Sequence, residues 1–174
     1  MSALKAVILV GHGGIPTDCP PELVRELKRL EAEARGRTTT ELRLADQRLR
    51  RWPRTAKTDP YQPGLEAVAA ALAKRLPGRL VLTAYNEFCS PSLEEAFETA
   101  AARGAREIAV ITTMYTRGGI HSEKEIPEEL KALAAKHPGV EVAYCWPFDL
   151  ENISRLLADE IERHCNGPYR ALAA

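Results

Sequence analysis

The sequence predicts an α/β fold: a four-stranded parallel sheet, doubly wound, with helices on both faces. Four short apolar runs, near residues 4–10, 80–85, 108–114 and 140–145, are separated by stretches whose apolar residues recur at helical spacing. The runs are nearly continuous in apolar character rather than alternating, which suits strands buried on both faces and not a one-sided antiparallel sheet. A length of 174 residues suits one core, since such a chain buries roughly two-thirds of its unfolded surface without disulfides or metals.

The first strand is Leu4–Val10, closed by the Gly-His-Gly-Gly run at 11–14. Pro20 and Pro21 open a helix with Leu23, Leu27 and Leu30 on one face and Gly36 as its stop. A second helix groups Leu65, Val68, Ala69 and Leu72, ends at Leu-Pro-Gly 76–78, and leads into the strand Leu80–Tyr85. Ser90 reads as the next helix cap with Pro91 in the first helical position, and that helix stops at Gly104. The third strand is Ile108–Met114. Beyond it Pro127 reads as the start of a helix reaching about Lys136, because a proline further inside would interrupt it. The fourth strand is Val140–Cys145, and a last helix covers about Leu150–His164. One domain is expected over residues 1–165, with a basic insertion at about 37–63 and a frayed tail at 166–174.

Lysine plus arginine and aspartate plus glutamate both number 24, which argues against a nucleic-acid binder driven by overall charge and against a membrane-surface protein. The first apolar run, of about five residues, is too short for a signal peptide or a spanning helix, so a cytoplasmic protein is expected. Cys19, Cys89, Cys145 and Cys165 stand far apart with no C-x-x-C pair; each is expected to be a free, buried thiol. The insertion holds Arg48, Arg50, Arg51, Arg54 and Lys57 with no acid among them. It reads as a solvated helical turn and loop or, alternatively, as a clamp for an anionic ligand; contact with nucleic acid is the weakest reading.

Ligands of open parallel sheets bind beyond the carboxyl ends of the strands. To that edge the strands deliver, in order, His12; then Asn86, Glu87 and Cys89; then Tyr115, Arg117 and His121; then Cys145, Trp146 and Asp149. Two of the four histidines therefore collect there with a carboxylate, flanked by Gly11, Gly13, Gly14, Gly118 and Gly119, which let a large ligand approach the backbone. His137 and His164 lie at helix ends and read as structural. Two imidazoles and a carboxylate suit divalent iron, cobalt, nickel or zinc, and leave coordination positions open. Such a centre serves hydrolysis by bound water or the transfer of a metal to something else. No G-x-S-x-G run supports a serine nucleophile.

Three stretches, VILVGHGG at 7–14, YNEFCSPSLEEAF at 85–97 and GGIHSEKEIP at 118–127, resemble in order and spacing the signatures of the class II tetrapyrrole chelatases of the CbiX/SirB type. The resemblance implies a chelatase-like fold and insertion of cobalt or iron, in relatives nickel, into a sirohydrochlorin-type ring. It implies the divalent metal as substrate, held by His12 and His121 with Glu87 as the matching carboxylate, and no organic cofactor. Long members resemble two fused copies, so a single-copy chain implies a homodimer with the ring cleft near the subunit contact. The sequence departs from the family pattern at Gly14, where serine is common, at Glu125, where aspartate is common, and at Ser90, where an acid is frequent.

Insertion releases two pyrrole protons, so the implied site needs metal delivery, a base and ring-binding groups. His12 and His121 fit the first two needs, with Glu87 as a further ligand or proton relay. Arg117, and less directly Arg50, Arg51 and Arg54, fit the ring's carboxylates, while Gly13, Gly14 and Gly119 leave room for it. Trp146 and Tyr115 offer stacking surface or core packing. A non-catalytic metal or tetrapyrrole carrier, and a metal-dependent hydrolase, remain the alternatives.

Overall fold

The computed structural model describes residues 4–165, and the tail expected at 166–174 lies outside them. Its elements are β1 (Leu4–Gly11), α1 (Pro21–Ala34), α2 (Thr40–Arg50), α3 (Tyr61–Arg75), β2 (Arg79–Tyr85), α4 (Leu93–Ala102), β3 (Ala105–Thr112), α5 (Ile126–Lys136), β4 (Glu141–Tyr144) and α6 (Leu150–Cys165), with a π turn at His121–Glu125 before α5. The strands form one parallel sheet in the order β2-β1-β3-β4. The chain winds out from β1 to β2 and then returns to place β3 on the other side of β1, so the switch point lies between β1 and β3, whose carboxyl ends open a crevice.

Alternation along the strands separates two faces. Ala6, Ile8, Val10, Ala84, Ile108 and Val110 face α4 and α5 in the main core, with Phe97, Ile126 and Leu133. Leu9, Val81 and Tyr85 face the other way, against Leu65 and Ala69 of α3. Helices thus lie on both faces, as expected, and the apolar character of β1 follows from burial on each side.

Several boundaries differ from expectation for local reasons. α4 is capped by Ser92, not Ser90: the Ser92 hydroxyl accepts the Glu95 N–H (3.2 Å) and the Glu95 carboxylate accepts the Ser92 N–H (2.9 Å). That capping box satisfies two otherwise orphan donors. α5 begins at Ile126, ahead of Pro127, because a first-turn proline loses no helical hydrogen bond. The helical turn expected in the insertion is a full helix with a buried face rather than a solvated one. It forms α2, capped by the Thr39 hydroxyl on the Leu42 N–H (3.1 Å), and buries Ala45 and Leu49 with Leu27, Cys19 and Phe88. Of the cysteines, Cys19 and Cys89 are buried thiols as expected, whereas Cys145 and Cys165 are exposed. No helix among the described residues is long and apolar enough to cross a membrane.

Candidate metal centre

His12 and Glu87 follow the ends of two adjacent strands, and the parallel ladder continues into the loops that carry them. The Asn86 N–H donates to the Gly11 carbonyl (2.9 Å) and the Glu87 N–H to the His12 carbonyl (2.8 Å). Gly13 permits this approach: its φ is +103°, and a Cβ there would lie 1.9 Å from the Glu87 carbonyl oxygen. His121 arrives from the π turn after β3. The buried Ser122 holds that turn, its hydroxyl donating to the Met114 carbonyl (2.9 Å) while the Tyr144 hydroxyl donates to the Ser122 carbonyl (2.8 Å).

The structure brings His12, Glu87 and His121 together, one donor atom from each lying within 4.8 Å of the others. His12 Nε2 is 3.9 Å from Glu87 Oε2, and the two imidazoles meet edge-on with centroids 5.1 Å apart. Donors sharing one ion at about 2.1 Å sit roughly 3–4 Å from each other. Small side-chain rotations therefore close the set.

Polar neighbours surround both imidazoles. Glu125 Oε2 lies 2.6 Å from His121 Nδ1 and accepts from Asn86 Nδ2 at 3.1 Å, while Asn86 Nδ2 is itself 2.8 Å from His121 Nδ1. A proton on Nδ1 satisfies Glu125 and leaves the His121 Nε2 lone pair for a metal, against the Asn86 amide, which as a donor favours a bare Nδ1. His12 Nδ1 is 3.1 Å from the Gly13 carbonyl, so its proton sits there and Nε2 again faces the centre. The Tyr61 hydroxyl accepts the His12 backbone N–H at 2.8 Å. Burial pushes the Glu125 carboxyl up, but the hydrogen bonds from His121 and Asn86 outweigh it and hold the group below its ordinary value. Burial likewise opposes the charge of Lys28, yet Glu31 first and then Glu87 hold its ammonium above the usual lysine value. Lys28 Nζ lies 3.9 Å from Glu87 Oε1 and over the Phe88 ring.

The insertion's arginines turn inward. Arg50 bonds the carbonyls of Tyr85 (3.0 Å), Cys89 (2.9 Å) and Asn86 (2.6 Å), and Asp46 at 2.7 Å. Arg54, whose side chain is 7% exposed, pairs at 2.5 Å with Asp59, 2% exposed, and donates to the carbonyls of Gly14 (2.8 Å) and Phe88. These two guanidiniums brace the loops carrying His12 and Glu87, Arg54 from within the fold and Arg50 from the wall of the cleft beside the centre. Arg51 is exposed near Glu95 (3.7 Å), and Arg117 is exposed on the loop after β3.

Gly13 and Gly14 adjoin His12, with Gly14 against Asp59, and exposed Gly119 precedes His121 by two residues. A cleft of about 310 Å³, lined by Leu27, Leu42, Arg43, Glu87, Phe88 and Glu125, opens beside the centre. Trp146 stacks on Tyr144 in the link to α6, and Asp149 caps that helix on the Asn152 N–H (2.9 Å). His137 pairs with Glu98 (2.9 Å) and His164 sits by Glu160 (3.8 Å), both away from the centre.

Sequence reasoning brought Asn86 to this edge without a role and marked Glu125 only as a departure from the family pattern. The available signal was the spacing of His121 and Glu125, which four residues apart share one side of a helical turn. The brace of Arg54 and Asp59 left no such signal.

A parallel α/β sheet whose carboxyl edge holds an open centre of two imidazoles and a carboxylate defines a class of metal-handling proteins. Within it, the chain belongs to the CbiX family, whose profile matches residues 56–163 and so takes in Glu87 and His121. It is 34% identical over 76 residues to a sirohydrochlorin ferrochelatase of Priestia megaterium, 43% of this chain and 28% of that protein. It is 31% identical over 65 residues to another of Bacillus subtilis (strain 168), 37% of this chain and 24% of that one. The matched segments thus span under a third of these curated relatives. The fold resembles the sirohydrochlorin chelatase SirB from Bacillus subtilis subspecies spizizenii in complex with cobalt (TM-score 0.56, 18% identity, 92% of this chain and 51% of that one). It also resembles a putative cobalamin biosynthesis CbiX protein from Marinobacter aquaeolei VT8 (TM-score 0.57, 16% identity, 93% and 95%) and SirB from Bacillus subtilis with Fe3+ (0.53, 20%, 96% and 49%).

Proposed function

We propose that the chain is a chelatase that inserts a divalent metal, cobalt or iron with nickel the next candidate, into sirohydrochlorin or a related tetrapyrrole. The observation that carries this reading is the open centre of His12, Glu87 and His121, whose donors lie within 4.8 Å of one another at the sheet's carboxyl edge. The named activity of the ferrochelatase relatives and the metals in the SirB structures support it.

A metal that must be handed on is best held by few ligands. His12 and His121, through Nε2, and Glu87 would carry the ion, and its departure would free the same lone pairs to take the two pyrrole protons. Ile15, Tyr115 and Ile120, 40%, 42% and 58% exposed, would give an apolar ring a surface at that edge. Arg117, Arg51 and Arg43 would face its carboxylates, since Arg50 is engaged internally. The chain would work as a homodimer in the cytoplasm.

The test is insertion of cobalt, iron and nickel into sirohydrochlorin, followed by visible absorption with ring in tenfold excess over protein. Repeated turnover that is lost in His12→Ala and in His121→Ala, with circular dichroism unchanged, is the expected result. One equivalent at most identifies a carrier, and full activity in both variants removes the proposal.

A further inference from the structure

Two apolar surfaces of this chain lie uncovered and match each other. α6 carries Leu150, Ile153, Leu157 and Ile161 at helical spacing, with Leu156 beside them, and buries no residue. Leu150, Leu157 and Ile161 are 75%, 44% and 59% exposed. A soluble helix normally sets such a stripe against a core. The second surface lies on the sheet face that carries α3. That helix covers β2 and β1, and beyond it Ile111 is only partly buried, while Ala143 and Cys145 are exposed. Val142 and Tyr144 pack into the main core on the opposite face, so alternation puts Ala143 on the bare side. A doubly wound sheet needs a helix there.

The chain's own α6 does not supply that helix, and its link to β4 is pinned. Trp146 stacks on Tyr144 (6.4 Å), Phe148 meets Trp146 edge-on (5.7 Å) and Tyr115 (6.5 Å), and Asp149 caps α6. The charges of α6 speak against a lipid occupant: Glu151, Asp159, Glu160 and Glu162 outnumber Arg155 and Arg163, whereas membrane-surface helices are basic. A second copy meets every condition, because each chain has one stripe to give and one strip to cover, and reciprocal exchange closes a twofold dimer.

We propose that α6 is exchanged between two copies of the chain, each laying its apolar stripe over the β3–β4 half of the other's sheet. The inference rests on the homodimer reading and gives that dimer its contact surface. Two variants test it from opposite sides: Leu157→Asp/Ile161→Asp in α6 and Ala143→Asp on the strip, all exposed positions whose change leaves the core intact. Light scattering after size exclusion is expected to give twice the chain mass for the parent chain and one chain mass for both variants. Hydrogen exchange should show α6 protected in the parent and unprotected in the variants.

A parent chain that is monomeric, with α6 either freely exchanging or protected by folding back, overturns both the exchange and the homodimer. A dimer that survives Leu157→Asp/Ile161→Asp keeps the homodimer and overturns the exchange. Loss of the dimer in the α6 variant but not in Ala143→Asp means the two stripes pair with each other, and also overturns it.

Discussion

Replacing Arg54 by methionine is the sharpest test of the inward-turned insertion. The change keeps the apolar length of the side chain but removes the charge facing Asp59, which is 2% exposed. Breaking a buried pair by removing one partner costs about 3–5 kcal/mol, because the remaining charge is desolvated and alone. The Gly14 and Phe88 carbonyls also lose a donor, at about 1 kcal/mol each. A loss of about 5–7 kcal/mol is a third or more of the roughly 5–15 kcal/mol that holds an ordinary domain together. In urea unfolding followed by circular dichroism, with a slope of about 2 kcal/mol/M, the midpoint should fall by about 3 M. Arg54→Met/Asp59→Asn should recover most of that stability, since no lone charge remains, yet still bind cobalt more weakly than the parent because Gly14 and Phe88 stay unbraced. A single variant within 1 kcal/mol of the parent, or a double variant worse than the single, refutes the reasoning.

Gly13→Ala places a methyl carbon on the Glu87 carbonyl and strains a positive φ, so cobalt binding should be lost while far-ultraviolet circular dichroism persists; an unchanged titration contradicts the close approach. Glu125→Gln weakens the hold on His121 Nδ1 and should lower cobalt affinity about 10–100-fold in an absorption titration. Burial pushes the Glu129 carboxyl up, against the Glu94 N–H and the Arg50 charge. A raised acid contributes stability that is present below its unfolded value and lost as pH rises through its folded value. Glu129→Gln should therefore be more stable than the parent at neutral pH, with the gain vanishing in acid; a gain that grows in acid has the wrong sign. Burial pushes the Cys89 thiol up to about 11 and also raises Cys19, so a thiol reagent should modify Cys145 and Cys165 in the native protein and all four cysteines only after denaturation.

The sheet was legible because β1, buried on both faces, is nearly all apolar, and β2 and β3 each carry an apolar run of the same kind. The convergence of His12, Glu87 and His121 could be read because a parallel sheet sends its carboxyl ends to one edge, so residues distant in sequence become neighbours by topology. What surrounds them was hidden for a different reason. Arg50 and Arg54 look alike in the sequence as members of a basic run, and only their partners tell a buried brace from a solvated or ligand-binding cation. The length and burial of α2 were obscured by the same density of charge, since its buried face needs little more than Ala45 and Leu49. The cap of α4 moved to Ser92 because Ser90 and Ser92 both suit that role and only Ser92 has an acid three residues on.

His12 and Glu87 stand on facing ends of neighbouring strands, where the spacing is set by backbone hydrogen bonds at about 4.8 Å per strand. The sheet itself therefore acts as the ruler of the centre. Substitutions that repack the faces of β1 and β2 leave that measure untouched, so the metal geometry can stay constant while the core drifts. Only changes that part the edge, or that alter the separate turn bearing His121, reset it.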